Sequence, residues 1–146
     1  MKVRDAMTAH PVTCAPETTL RDAARMMRET DCGALPVVGP DGYPIGVVTD
    51  RDITIRAVAE GKSPTTKVGD VMSHEVLYCF DDQELDDIAQ NMAEMKVRRL
   101  PVVNRDKRLV GIISLGDLAR REDSRTAGQT ISEISEPGGE HSQAAH

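Results

Sequence analysis

Residues 46–52 read "GVVTDRD" and residues 111–117 read "GIISLGD". Each is a glycine, two β-branched apolar residues, a hydroxyl residue, two variable positions and an aspartate. The two glycines stand 65 residues apart, and sliding the chain by that offset aligns Val3–Arg56 with Val68–Arg121 without a gap. About seventeen of the fifty-four pairs are identical. Chance would give roughly four, and repetition at this level means one structural unit used twice. Asp5 matches Asp70, Met7 matches Met72, and "LPVV" at 35–38 matches "LPVV" at 100–103. Asp41 with Asp106, Asp52 with Asp117 and Arg56 with Arg121 complete the frame.

Both copies parse alike. A short start, "VRDAM" or "VGDVM", precedes a brief strand, "PVTC" or "VLYC". Leu20, Ala23, Ala24 and Met27 then stand at i, i+3, i+4 and i+7, and Leu85, Ile88, Ala89 and Met92 repeat that stripe, so each copy carries an amphipathic helix. Threonines before Leu20 and aspartates before Leu85 offer N-caps. Two β-branched runs follow in each copy, joined by "GPDG" or "NRDK", as a hairpin requires. A second helix begins at once, "DRDITIRAVAEG" or "LGDLARRED". The predicted unit is βαββα, in the α/β (α+β) class. One such unit of about fifty residues buries too little apolar surface to stand comfortably alone, so two are expected to pack sheet to sheet about a pseudo-twofold axis. Residues 1–60 form the first repeat, "GKSPTTK" at 61–67 the connector, and 68–121 the second repeat. The Ser, Gly, Gln and Glu bias of 122–146 is that of a flexible tail.

Bulk properties narrow the function. Hydrophobic residues make up 39% and charged residues 29% of the 146, as in a soluble globular protein. No apolar run reaches the roughly 18 residues of a membrane span, and no signal-peptide h-region is visible, so a cytoplasmic location is expected. A net charge of −6 with only 2% aromatic residues speaks against a nucleic-acid partner. Cys14, Cys32 and Cys79 cannot all pair within one chain and show no CxxC spacing. Reduced, partly buried thiols are expected, with no metal site and a redox role as the alternative. Neither motif region holds a histidine or a P-loop, so no catalytic residue is expected.

The hydroxyl and the aspartate admit two readings. A Ser or Thr followed three residues later by an acid is the signature of a capping box, in which Thr49 or Ser114 caps a helix and Asp52 or Asp117 reaches back. Aspartate is one methylene shorter than the residues that close such a box best. The motif also sits where a strand turns straight into a helix, a place suited to an anion. There the hydroxyl would hold phosphate oxygens and the carboxylate would take a vicinal diol.

The doubled pattern "ALPVV…GVVTDRDI" and "RRLPVV…GIISLGDL" resembles a pair of CBS domains, the cystathionine-β-synthase-type repeats that form a Bateman module. "VRRLPVVN" followed by "GIISLGDL" is similar to the nucleotide-sensing repeats of the γ subunit of AMP-activated protein kinase. The resemblance implies two clefts that take adenosine ligands such as AMP, ADP, ATP, NAD or S-adenosylmethionine, and a homodimer of two modules. It implies ribose binding by Asp52 and Asp117, with Thr49 and Ser114 at ribose or phosphate. It also implies that the start of the opposite repeat lines each cleft: Thr8 and Val12 near Asp117, Ser73 and Leu77 near Asp52.

The clefts are unequal. Arg98 and Arg99 precede the second "LPVV", where the first repeat has Gly33 and Ala34. Adjacent strand residues face opposite ways, so only one arginine enters a cleft, and the kinase resemblance favours Arg99. Arg51 stands where the second repeat has Gly116, and either supplies charge that Ala34 cannot or lies on the surface. Arg56 and Arg121 are expected to pair with nearby acids. The Asp117 cleft is therefore expected to bind AMP or ADP more tightly than the Asp52 cleft. A non-catalytic regulatory or energy-sensing module, acting through an unidentified regulated protein, is the leading expectation. A structural dimerisation module with empty clefts and a redox-responsive protein are the alternatives.

Overall fold

A computed structural model describes residues 1–74, 77–121 and Ile134. The chain divides into two compact units. Unit one is Met1–His10 with Leu77–His146, and unit two is Pro11–Val76. These units cut across the repeat frame, because the opening residues of each repeat belong with the body of the other.

In unit one, α1 (Val3–Ala6) and β1 (Thr8–Ala9) join β4 (Cys79–Phe80), α4 (Leu85–Met95), β5 (Arg99–Val103), β6 (Leu109–Ser114) and α5 (Leu115–Arg121). The sheet order is β1-β6-β5-β4, antiparallel except for the parallel β4–β5 edge. Unit two has α2 (Leu20–Thr30), β2 (Ala34–Val38), β3 (Pro44–Thr49), and α3 (Asp50–Asp52), which runs into a π-helical turn, Ile53–Val58. Its β2–β3 hairpin is flanked by single bridges, Cys14 parallel to Val37 and Ser73 antiparallel to Val47. These are the repeat equivalents of Cys79–Val102 and Thr8–Ile112, so the 65-residue offset holds in the pairing as well as the sequence. The α+β expectation and both hairpins hold. The brief strands are shorter than expected: Cys14 makes one bridge, and only Cys79–Phe80 extends to two residues.

The cores follow the expected stripes. Leu20, Ala23 and Met27 are buried with Leu35, Val37 and Val48 in unit two, whereas Ala24, the fourth member of the expected stripe, is exposed. Leu85, Ile88, Ala89 and Met92 are buried with Leu100, Val102 and Ile113 in unit one. Each core also takes residues from the other repeat's opening: Val3 and Ala6 in unit one, and Val68, Val71 and Met72 in unit two. The same segments satisfy helix ends. The Leu85 amide donates to the Met1 carbonyl, and the Leu20 amide donates to the Thr66 carbonyl. Residues 61–67, expected as a connector, therefore lie inside unit two, where the Pro64 and Thr66 carbonyls receive the first amides of α2.

Thr19 caps α2 as expected, its hydroxyl accepting from the Asp22 amide at 3.2 Å. The cap expected at α4 from aspartates is absent. Glu84 occupies that position without a side-chain cap bond and turns instead to Lys2 Nζ at 2.7 Å. The expected tail, 122–146, lies outside the described residues except for Ile134. That residue is 2% exposed and belongs to the core of unit one, so at this point the expected tail is packed.

Candidate functional site

The pairing register sorts the motif residues by face. Residues opposite one another across an antiparallel pair share a face, and neighbours alternate. Arg99 pairs with Ser114, Pro101 with Ile112, and Ile112 with Thr8. Those five therefore share one face of the unit one sheet, while Leu100, Val102 and Ile113 point to the core. In unit two the matching face carries Ala34 opposite Thr49, Pro36 opposite Val47, and Ser73 beyond Val47. Thr8, Arg99 and Ser114 are thus brought to one surface, as are Ser73, Ala34 and Thr49. Val12 belongs to unit two and Leu77 to unit one, so neither shares a unit with the aspartate it was expected to accompany.

Glycine at 46 and 111 makes this layout possible. A Cβ on Gly46 would collide with the Ser73 carbonyl oxygen. One on Gly111 would collide with Met7 Sδ and stand 2.9 Å from the Thr8 carbonyl oxygen. The opening segment of the other repeat runs across the strand where a side chain is missing. Motif reading took these glycines as markers of the repeat; their role needs the pairing partner to be known.

Both aspartates close capping boxes. Asp52 Oδ2 accepts from the Thr49 amide at 2.9 Å while Thr49 Oγ1 accepts from the Asp52 amide at 3.0 Å. Asp117 Oδ2 accepts from the Ser114 amide at 2.9 Å and from Ser114 Oγ at 3.0 Å. The capping reading of the motif is therefore realised in each unit. It does not exhaust the carboxylate, which has about four acceptor positions. The cap fixes the orientation of the group and leaves Oδ1 to other partners.

Those partners differ. Asp52 Oδ1 has Arg56 Nε at 3.7 Å, an ion pair too long for a hydrogen bond. Asp117 Oδ1 accepts a hydrogen bond from Arg120 Nη2. The Asp117 side chain is 4% exposed and that of Asp52 is 15% exposed. Arg56 thus pairs with an acid as expected, whereas the side chain of Arg121 lies outside the described residues. Arg120 was missed by sequence reading, although its i+3 spacing from Asp117 marks it as a candidate partner.

Arg51, Arg98 and Arg99 make no side-chain hydrogen bond or ion pair with any described residue. The Arg98 carbonyl accepts from the Leu115 amide at 3.0 Å, and the Gly33 carbonyl does the same for Asp50 at 2.9 Å. Arg98 and Arg99 are exposed and Arg51 is half-buried. Ala34 is buried at 6% exposure, so a methyl group stands where Arg99 stands in unit one.

The thiols divide as expected. Cys14 and Cys79 are buried and Cys32 is exposed, all three unbridged. Burial pushes the Cys14 thiol up to about 11, and burial with the nearby Asp81 charge pushes Cys79 up to about 12. Both are poor nucleophiles and poor metal ligands at neutral pH. Among the described residues no group of three or more His, Cys, Asp or Glu side chains is placed to hold a metal ion. No described helix is long and apolar enough to cross a membrane.

Two βαββα repeats, each ending its last strand in a carboxylate-closed cap and each packed with the opening segment of the other repeat, define a tandem-repeat module. The CBS domain family model matches residues 3–58 and 68–124. The chain belongs to the CBS domain family, as a pair of repeats. It is 41% identical over 134 residues to the CBS domain-containing protein YhcV of Bacillus subtilis, covering 91% of this chain and 94% of that one. The crystal structure of Hypoxic Response Protein I with two coordinated zinc ions superposes with a TM-score of 0.75 at 38% identity, over 83% of this chain and 98% of that one. CBSX2 in complex with AMP gives 0.71 at 31% identity, over 82% and 93%. The CBS domain pair of protein MJ0100, in complex with 5-methylthioadenosine and S-adenosyl-L-methionine, gives 0.75 at 25% identity, over 86% and 98%.

Proposed function

We propose that this protein is a non-catalytic regulatory module that binds adenosine nucleotides, with the ribose diol on Asp52 in one site and on Asp117 in the other. The observation that carries this reading is the doubled carboxylate. It is oriented by its own helix cap on a sheet face that also gathers a hydroxyl residue and, in unit one, Arg99. CBSX2 with AMP, and MJ0100 with two adenosine derivatives, support the ligand class. Arg99 in unit one and Arg51 in unit two are the phosphate ligands, with Arg98 turned to solvent. Thr8 and Ser73 border the sites from the opposite repeat's opening segment. AMP, ADP or ATP, and by the same chemistry NAD or S-adenosylmethionine, fit this scheme. The protein works in the cytoplasm as a homodimer that signals energy state to a separate regulated protein.

The interaction energy sets the scale. At about 0.3 kcal/mol per heavy atom a mononucleotide gains roughly 7 kcal/mol, or micromolar to ten-micromolar affinity. Calorimetry with AMP tests the assignment. Asp52→Ala and Asp117→Ala are each expected to lose one site, and the double variant both. Binding unchanged in the double variant would end the nucleotide reading and leave the caps as purely structural.

A further inference from the structure

The two carboxylates carry the same cap but not the same load. Asp117 accepts two hydrogen bonds on Oδ2, from the Ser114 amide and hydroxyl, and one on Oδ1 from Arg120. Among the described residues Asp52 accepts one hydrogen bond, from the Thr49 amide, and has Arg56 only at 3.7 Å. The internal offset shows where this difference originates. Arg120 is the third residue after Asp117, and the third residue after Asp52 is Ile55, which is 48% exposed and cannot donate. The 65-residue register runs through both motifs, and at this position unit one has a guanidinium where unit two has a hydrocarbon.

A vicinal diol reaches a carboxylate by donating one hydrogen bond to each oxygen. On Asp52 the second oxygen is open to that exchange. On Asp117 three of about four acceptor positions are taken, so a diol, which needs one on each oxygen, competes with the charged donor on Oδ1 as well as with the Ser114 pair on Oδ2. The carboxylate there is 4% exposed while the Arg120 side chain is 67% exposed, so the guanidinium is held at its tip and the rest of the chain is free to swing away. We propose that the residue three positions after each site aspartate, Arg120 in unit one and Ile55 in unit two, ranks the two sites for sugar binding, with Arg120 acting as a latch on Asp117. Unit two is then the site that fills first with a nucleoside, the reverse of the order read from arginine content alone. Unit one fills only with a ligand whose remaining contacts offset the opening of the latch. This inference rests on the diol assignment above.

The test uses adenosine, which has the diol and no phosphate, so that recapture of Arg120 by an anion cannot mask the effect. In the full chain carrying Asp52→Ala, calorimetry reads the Asp117 site alone. Adding Arg120→Met, which keeps the aliphatic stem, is expected to tighten adenosine by about three- to tenfold. It is expected to leave 2′,3′-dideoxyadenosine, which has no diol to compete, unchanged. Reciprocally, Ile55→Arg in an Asp117→Ala chain is expected to weaken adenosine at the Asp52 site by a similar factor. Unchanged or weaker adenosine binding in the Arg120→Met chain overturns the latch, and so does equal tightening of the dideoxy compound. Adenosine binding that survives in the Asp52→Ala/Asp117→Ala chain brings down the diol assignment itself, and the latch with it. Thermal melting of every variant, with a midpoint near that of the parent, establishes that each comparison is between folded proteins.

Discussion

At the scale of single residues, the doubled motif was legible because every position in it has a backbone reason as well as a chemical one. Gly46 and Gly111 admit the crossing segment, Thr49 and Ser114 cap, and Asp52 and Asp117 close the cap while keeping acceptor positions in reserve. What was not legible was the load on each carboxylate. That depends on which rotamer a neighbouring arginine takes, and residue identity does not specify a rotamer. The glycines give a direct check on the packing. Gly111→Ala must push Met7 and the Thr8 backbone aside, at an expected cost of about 1–3 kcal/mol, read as a lower midpoint in urea. Gly46→Ala meets the Ser73 backbone, which cannot rotate away as a side chain does, and should cost at least as much.

At the scale of elements, the helices were placed by their apolar stripes, but their ends were only partly foreseen. Thr19 caps α2, whereas α4 has Glu84 at its cap position without a side-chain cap bond and relies on the Met1 carbonyl and on charge from Lys2. No local pattern around residue 84 announces a partner more than eighty residues away. Both helices finish on a non-glycine residue in the left-handed region, Asp31 at φ 52° and Lys96 at φ 56°. Replacing Asp31 with glycine relieves that conformation and is expected to stabilise unit two by a few tenths to about 1 kcal/mol, visible as a raised melting midpoint. Charge pairs at the surface of unit one carry a pH signature. Arg105 binds Asp82 through two nitrogens, at 2.8 and 2.7 Å, and stacks 4.1 Å over the Phe80 ring centroid. Hydrogen bonding and charge from Arg105 hold the Asp82 carboxyl below its ordinary range, and Lys2 with the terminal amine does the same for Glu84. A carboxyl depressed in the folded state contributes stability above its unfolded pKa and loses it as pH falls through the folded value. Stability should therefore decline as pH drops from the usual carboxylate range downward. Asp82→Asn should flatten that acid limb while changing little at pH 7 beyond the loss of one exposed pair.

At the scale of the whole molecule, the sequence frame and the folded units are different partitions of the same chain. The repeats run 1–60 and 68–121 in the sequence, whereas the compact units are Pro11–Val76 and Met1–His10 with Leu77–His146. Periodicity reveals copies of a pattern, but it is blind to which copy a segment packs against, and that decision is made by Val3, Ala6, Val68, Val71 and Met72. A fragment spanning 11–76 keeps every core residue of unit two, including those three from the second repeat's opening. A fragment spanning 1–60 lacks them and carries Val3 and Ala6 uncovered. The longer-running fragment is expected to melt cooperatively by circular dichroism and the repeat-based one not to; the reverse result would contradict the division. Ile134 extends the same logic. Its burial in unit one predicts that Ile134→Ala costs about 2–4 kcal/mol, and a loss near zero would remove it from that core. The order in which a ribosome releases these residues then matters. Unit two is one unbroken run and can close as soon as its last strand partner has left the exit tunnel. Unit one is a split body whose core joins Val3 and Ala6 to Leu118 and Ile134, with all of unit two lying between them in the sequence. During translation its opening helix must wait, apolar side chains exposed to any passing chaperone, until unit two and then Leu118 and Ile134 have been delivered.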